Sequence, residues 1–351
     1  MKVVLLAGDC IGPEIAAEAV RVLAALAPDV EIEERPFGAA AIRSAGDPLP
    51  EATLAACRAS DAVLKGPIGD PEFDAADVRP EQGLLRLRGA LDVYANLRPA
   101  RQGAIDLVIV RELVGGLYFG ARGVREDGTA YDTCEYHPRE VERVARRAFE
   151  LARARGRRVT SIDKANVLET SRLWRRVVTE VGAEYPDVTL EHMLVDNAAM
   201  QLVQFPASFD VIVTENLFGD ILSDEAAAVT GGLGLAGSAS LGDAGAGIFE
   251  PVHGSAPDLV GLGTANPAGM LRSTALLLEH GLGRADEAGH LDAAIDRTLS
   301  ERPTPDLGGT ATTREFGDAV LAALSERRAR AGPVTGGAAG PAGGCRALPM
   351  G

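Results

Sequence analysis

The stretch from Phe209 to Asp224 constrains the fold more than any other part of the chain. Phe209-Asp210-Val211-Ile212-Val213-Thr214 is apolar and rich in β-branched residues, so it reads as a buried strand. Asn216-Leu217-Phe218-Gly219-Asp220-Ile221-Leu222-Ser223-Asp224 follows, and after Gly219 the apolar spacing takes a helical period. Asp220 and Asp224 then stand i and i+4, with both carboxylates on one helix face. Like charges at that spacing repel by a few tenths of a kcal/mol unless a cation sits between them. A hard divalent ion, Mg²⁺ or Mn²⁺, suits such oxygens. A solvated acidic helix start, favoured by the helix dipole, is the plainer alternative. The pair alone leaves both readings open.

Strand–turn–helix order recurs elsewhere. Val3–Leu6 is a buried strand, Gly8-Asp9-Cys10-Ile11-Gly12-Pro13-Glu14 a turn, and Ile15, Ala19, Val22, Leu23 and Leu26 one helix face. That turn lies at the carboxyl end of a strand, where open α/β sheets bind ligands. It lacks the G-x-G-x-x-G fingerprint, so a Rossmann assignment does not follow. Strands are predicted at residues 31–34, 61–65, 107–112, 159–164 and 190–195, and helices at 51–58, from Pro80, and at 140–155. Residues 249–258 read as a polar loop, 230–237 as a glycine-rich crossing, and 270–279 and 316–324 as closing helices. Residues 331–351 are rich in Gly, Ala and Pro and read as a disordered tail.

At 351 residues the chain is long for one core. A net charge of −15 argues against nucleic acid as a partner. No apolar stretch has membrane-spanning length. Cys10, Cys57, Cys134 and Cys345 have neither metal-ligand nor disulfide spacing, which fits a reducing cytoplasm.

Three arginines sit at the ends of elements: Arg88 on a helix, Arg98 in an extended X-Pro step, and Arg111 at a strand end. Guanidinium forks grip carboxylates, so the trio points to a substrate with more than one. Tyr118 lies in a glycine-flanked segment, where a core tyrosine is the plain alternative. Lys164 leaves one strand, Asp196 another, and Asp220 follows a third. These three converge only if their strands are neighbours.

Taken in order, these motifs resemble the isocitrate/isopropylmalate dehydrogenase family of β-decarboxylating dehydrogenases over about residues 1–325. The resemblance rests on residues 8–14, Arg88 with Asn96-Leu97-Arg98-Pro99, Val110-Arg111-Glu112 with Tyr118, and Asp163-Lys164-Ala165-Asn166. It continues through Asn216–Asp224 and His253–Asp258 with Asn266-Pro267. It implies an α/β fold of two domains sharing a large mixed parallel and antiparallel sheet flanked by helices, not a Rossmann fold. The first domain would be residues 1–98 plus 232–330. The second, 99–231, would carry the metal site and the interface of a homodimer. The implied reaction is NAD-dependent, Mg²⁺- or Mn²⁺-dependent oxidative decarboxylation of a substituted malate. 3-Isopropylmalate comes first, with isocitrate, homoisocitrate, tartrate or another alkylmalate as alternatives.

By the same resemblance, Arg88, Arg98 and Arg111 bind the malate carboxylates, with Asp220 beside them. Tyr118 and Lys164 are the catalytic pair. Asp220 and Asp224 bind metal with Asp196, and both Lys164 and Asp196 reach in from the partner subunit. Ile11, Glu81, His253, Gly254, Ser255, Ala256, Pro257, Asp258 and Asn266 hold the cofactor. Leu84 and Leu85, one turn before Arg88, border the substrate's C3 substituent. Cys10 stands where the family has glycine. If that position needs a positive φ, the cysteine costs roughly 1 kcal/mol or more.

Overall fold

The computed structural model describes residues 1–331, with side chains through residue 326. The expected tail therefore lies outside the described residues, apart from Ala331, which ends the last helix. The strands are β1 (Lys2–Leu6), β2 (Glu31–Glu34), β3 (Ala62–Lys65), β4 (Ala95–Gln102), β5 (Ile105–Glu112) and β6 (Arg122–Val124). They continue with β7 (Ala130–Asp132), β8 (Arg158–Asp163), β9 (Thr189–Leu194), β10 (Val211–Thr214), β11 (Gly237–Leu241) and β12 (Gly247–Pro251). The helices are α1 (Gly12–Leu26), α2 (Gly38–Ala45), α3 (Glu51–Arg58), α4 (Pro80–Ala90), α5 (Pro138–Arg153) and α6 (Glu169–Gly182). After them come α7 (Val195–Gln204), α8 (Asn216–Val229), α9 (Ala268–Leu276), α10 (Ala285–Glu301) and α11 (Thr313–Ala331).

Ten strands form one sheet in the order β2-β1-β3-β12-β11-β4-β5-β10-β8-β9, and β6 and β7 pair separately. Pairing is parallel at both ends of the sheet and antiparallel through β12-β11-β4-β5 in the middle. The expected mixed sheet is present.

Strand periodicity explains where the cores lie. Val3 and Leu5, Val108 and Val110, and Ala95 and Leu97 share one large core on one face of the sheet. The intervening residues face the other way into two separate cores. Val4, Leu6, Val63 and Ile248 join one of these; Ala100, Leu107, Ile109 and Ile212 join the other. Between these two cores the same face carries polar residues in register: Lys65, Glu250, Ser240, Asn96, Arg98 and Arg111. A gap in apolar packing at mid-sheet is thus built from the sequence, strand by strand.

Three expectations need correction. Phe249-Glu250-Pro251 is not loop but the end of β12, antiparallel to β11. α8 begins at Asn216, so Gly219 lies in its first turn rather than before it. A Cβ at Gly219 would stand 2.6 Å from Arg111 Cγ, and only glycine lets that arginine pass the helix. Asp196 sits in the first turn of α7, not at a strand end. The strands β6, β7 and β11 and the helices α2, α6 and α10 were not anticipated by apolar spacing.

Candidate active site

α8 supplies the carboxylates and the neighbouring strands supply the arginines. Arg98 leaves β4 on the site face and donates from Nη1 to Asp224 Oδ1 at 3.1 Å and to Ser223 Oγ at 2.7 Å. Its Nη2 lies 3.4 Å from Asp220 Oδ1. Asn96, two residues earlier on the same strand face, accepts from Arg98 Nε at 2.8 Å and aims the side chain. Arg111, at the end of β5, donates from Nη1 to Asp220 Oδ1. Tyr118 Oη donates to Asp220 Oδ2 at 2.8 Å, and the Arg111 guanidinium lies 5.5 Å from the Tyr118 ring centroid. The structure therefore gathers Arg98, Arg111, Tyr118, Asp220 and Asp224.

Arg88 joins through a buried triad. Its Nη2 donates to Glu250 Oε1 at 3.1 Å, and Lys65 Nζ lies 2.6 Å from Glu250 Oε2. Burial pushes the Glu250 carboxyl up, but Lys65 and Arg88 outweigh it and hold it at about 2. Arg88 Nε is buried and has no hydrogen-bond partner among the described residues. An unpaired donor on a buried guanidinium fits a carboxylate ligand.

The carboxylates differ. Burial raises Asp220, yet Arg111 and Arg98 overcome it and hold the group below its ordinary range. For Asp224 burial wins over Arg98, and the carboxyl is raised. Burial and the bond to Asp220 raise the Tyr118 phenol, which stays protonated at neutral pH.

Lys164 and Asp196 form a second group. Their strands are neighbours, in the order β10-β8-β9, and Lys164 Nζ pairs with Asp196 Oδ1. Neither makes a hydrogen bond or ion pair with Asp220, Asp224 or Tyr118 in this chain. The neighbouring strands thus bring together two of the three predicted exits, not all three. Among the described residues, no three His, Cys, Asp or Glu side chains are grouped to hold a metal ion. Asp220 and Asp224 have the hard-oxygen chemistry a divalent cation requires.

Of the residues expected at the cofactor, Ile11, Glu81 and the 253–258 loop lie near one another. Ile11 N donates to Ser255 O at 3.1 Å, joining the turn at residues 8–12 to the loop at 253–258. A Cβ built on Gly69 would lie 3.3 Å from Glu81 Oε1 and 3.6 Å from Ser255 Oγ, which puts Glu81 beside that loop. His253 Nε2 is buried without a partner among the described residues, an orphan that suits a polar ligand. Gly254, Pro257 and Asp258 are exposed, and Ala256 is held at φ +43°. The Asn266 side chain caps α9 through Ala268 N at 3.0 Å and donates to Asp306 at 3.1 Å. Its polar atoms are committed to the fold.

On α4, Leu84 packs on the core beneath β1 and β3, whereas Leu85 is half-exposed and belongs to none of the three cores. Sequence reasoning missed Lys65, Glu250, Asn96, Asn216, Ser223 and Tyr136 as parts of the site. Asn96 had a readable signal, because i and i+2 in a strand share a face with Arg98. Glu250 has none, because the polar residues around it read as loop.

Arginines beside paired carboxylates at mid-sheet of a mixed α/β sheet have the chemistry to hold a small polyacid. The comparisons with known proteins narrow this. The isocitrate/isopropylmalate dehydrogenase family matches over residues 2–320. A 3-isopropylmalate dehydrogenase of Zymomonas mobilis is 52% identical, covering 93% of this chain and 100% of its own length. Another, of Novosphingobium aromaticivorans, is 51% identical over 92% of this chain and 100% of its own. The crystal structure of an isocitrate dehydrogenase from Methylococcus capsulatus superposes with a TM-score of 0.86 at 38% identity, covering 92% of this chain and 99% of that one. The chain belongs to the isocitrate/isopropylmalate dehydrogenase family.

Proposed function

We propose that this chain catalyses the oxidative decarboxylation of 3-isopropylmalate to 4-methyl-2-oxopentanoate and CO₂, a reaction of leucine biosynthesis. The observation that carries the reading is the cluster of Arg98, Arg111, Tyr118, Asp220 and Asp224 at mid-sheet, in a chain about half identical to 3-isopropylmalate dehydrogenases. Arg88, Arg98 and Arg111 hold the two malate carboxylates in register. The Ile11 turn and the His253–Asp258 loop would hold NAD⁺, which would supply the hydride acceptor for C2. A divalent cation, Mg²⁺ or Mn²⁺, when bound by Asp220, Asp224 and Asp196 of the partner subunit, supplies Lewis acidity. Lys164 of the partner subunit takes the C2 hydroxyl proton through a water. Tyr118 Oη, kept protonated, returns a proton to C3 after CO₂ leaves. The division into residues 1–98 plus 232–330 and residues 99–231 belongs to this reading, as does a homodimer. Among the described residues no helix is long and apolar enough to cross a membrane.

NAD is the favoured dinucleotide because the exposed Asp258 carboxylate accepts from ribose hydroxyls and repels a 2′-phosphate. The test follows NADH formation with a panel of substituted malates, Mg²⁺ or Mn²⁺, and NAD or NADP. A kcat/KM for 3-isopropylmalate about 10–200-fold above that for malate is expected. Preference for isocitrate, or for NADP, overturns the corresponding part of the proposal.

A further inference from the structure

Arg111 is buried at 2% exposure, and most of its donors are already directed. Asn216 Oδ1 accepts from Nε at 3.0 Å and from Nη2 at 2.8 Å, and Asn216 O accepts from Nε at 2.9 Å. Asp220 takes Nη1. A guanidinium has five N–H donors in one plane. With the Nε/Nη2 edge closed by Asn216 and one Nη1 donor spent on Asp220, two donors remain, one on each Nη. These two Nη donors, and not the Nε edge, are what Arg111 can offer a carboxylate.

Asn216 is itself held from two directions. Its Nδ2 donates to Gly115 O at 3.0 Å, on the turn that leads to Tyr118. Its backbone N–H, at the first turn of α8 where no intrahelical acceptor exists, donates to Tyr136 Oη at 2.8 Å. The Tyr136 ring also walls that turn. A Cβ on Gly115 would lie 2.9 Å from the ring, and one on Gly116 2.3 Å from Oη. Trp174 braces the ring edge-on at 5.7 Å between centroids. Asn216 thus ties the Nε edge of Arg111 and the start of α8 to the turn before Tyr118, alongside the Asp220 carboxylate that bonds Arg111 Nη1 and Tyr118 Oη.

We infer that Asn216 and Tyr136 are positioning residues that select which edge of Arg111 receives the substrate carboxylate and fix that edge relative to Tyr118. Neither touches substrate. The inference rests on the assignment of Arg111 as a carboxylate clamp. The experiment measures equilibrium binding of 3-isopropylmalate, the two KM values, kcat and Tm for Tyr136→Phe, Asn216→Ala and Arg111→Lys.

Tyr136→Phe keeps the ring wall and removes only the acceptor for Asn216 N–H. It is expected to weaken 3-isopropylmalate binding about tenfold and raise its KM in step, with the KM for NAD changed less than about twofold. Asn216→Ala opens the Nε edge and is expected to do the same or more. If that variant does not fold, Tyr136→Phe carries the test. Wild-type binding and KM in Tyr136→Phe overturn the inference, even with a lowered Tm, because a lowered Tm alone marks a structural role. If Arg111→Lys leaves binding unchanged, the clamp assignment falls. If Arg111→Lys weakens binding and the other two do not, the positioning role alone falls.

Discussion

Cys10 is held at φ +51°, in the left-handed region where a side chain crowds its own backbone. Its thiol meets Gly69 O at 3.6 Å and the Ser255 side chain, and burial raises its pKa, so it is a poor nucleophile. Strain of about 1–2 kcal/mol exceeds the roughly 0.5–1 kcal/mol that glycine costs through the unfolded chain. Cys10→Gly is therefore expected to raise the Tm slightly, and a lowered Tm in calorimetry would falsify the strain assignment. The sequence carried the residue but not the sign of φ, which the backbone of the turn sets. Glu112 is a second case. It is fully buried, and its carboxylate accepts from Val114 N and Gly115 N at 2.9 Å each. Burial, opposed by those two bonds, pushes it up from 4.5 to about 7. A carboxyl raised in the folded state favours folding below its unfolded pKa, and that contribution is lost as pH rises through about 7. Glu112→Gln should shrink the fall in unfolding free energy between acidic and neutral pH, read from urea melts, by on the order of 3 kcal/mol. An unchanged pH dependence would show that Glu112 is not the group responsible.

Elements were legible where one period dominated. The strand at 31–34 and the helix at 51–58 agree with the structure to the residue, and the α1 face from Ile15 to Leu26 is buried as its spacing requires. β11 was missed because Gly237-Ser238-Ala239-Ser240-Leu241 alternates small residues with hydroxyls, which look like loop until they line a polar gap. The helix α4 shows how a single turn divides its duties. Leu84 and Leu85 both precede Arg88 by about a turn, and apolar spacing cannot separate them. Packing does separate them: Leu84 reaches a core and Leu85 does not. Leu84→Ala is expected to cost stability, about 1–2 kcal/mol for a half-buried leucine, with the preference for 3-isopropylmalate over malate retained. Leu85→Ala should keep the Tm and lower that preference several-fold. Urea melts and the two kcat/KM ratios decide the matter, and the reverse pattern would assign the alkyl pocket to Leu84.

All eight polar residues expected at the site are present, but they fall into two groups in the chain: the arginines, Tyr118, Asp220 and Asp224 on one side, Lys164 and Asp196 on the other. The outer surfaces of α7 and α8 expose Met200, Val203 and Ile221, with Phe205 just beyond, the last three at 59%. Apolar side chains on adjacent helices suit an interface, and in the proposed homodimer a twofold axis would cover them with their own copies. The same axis would bring Lys164 and Asp196 of each chain to the carboxylates of the other. Lys164→Met and Asp224→Asn, each inactive alone, test this when co-expressed. With random pairing about half the dimers are mixed. In each mixed dimer one site takes both lesions and the other takes none, so activity should return to roughly a quarter of wild type. If each site instead drew every group from a single chain, every site would keep one lesion. The mixture would then stay as inactive as its parents, and the shared site would be ruled out.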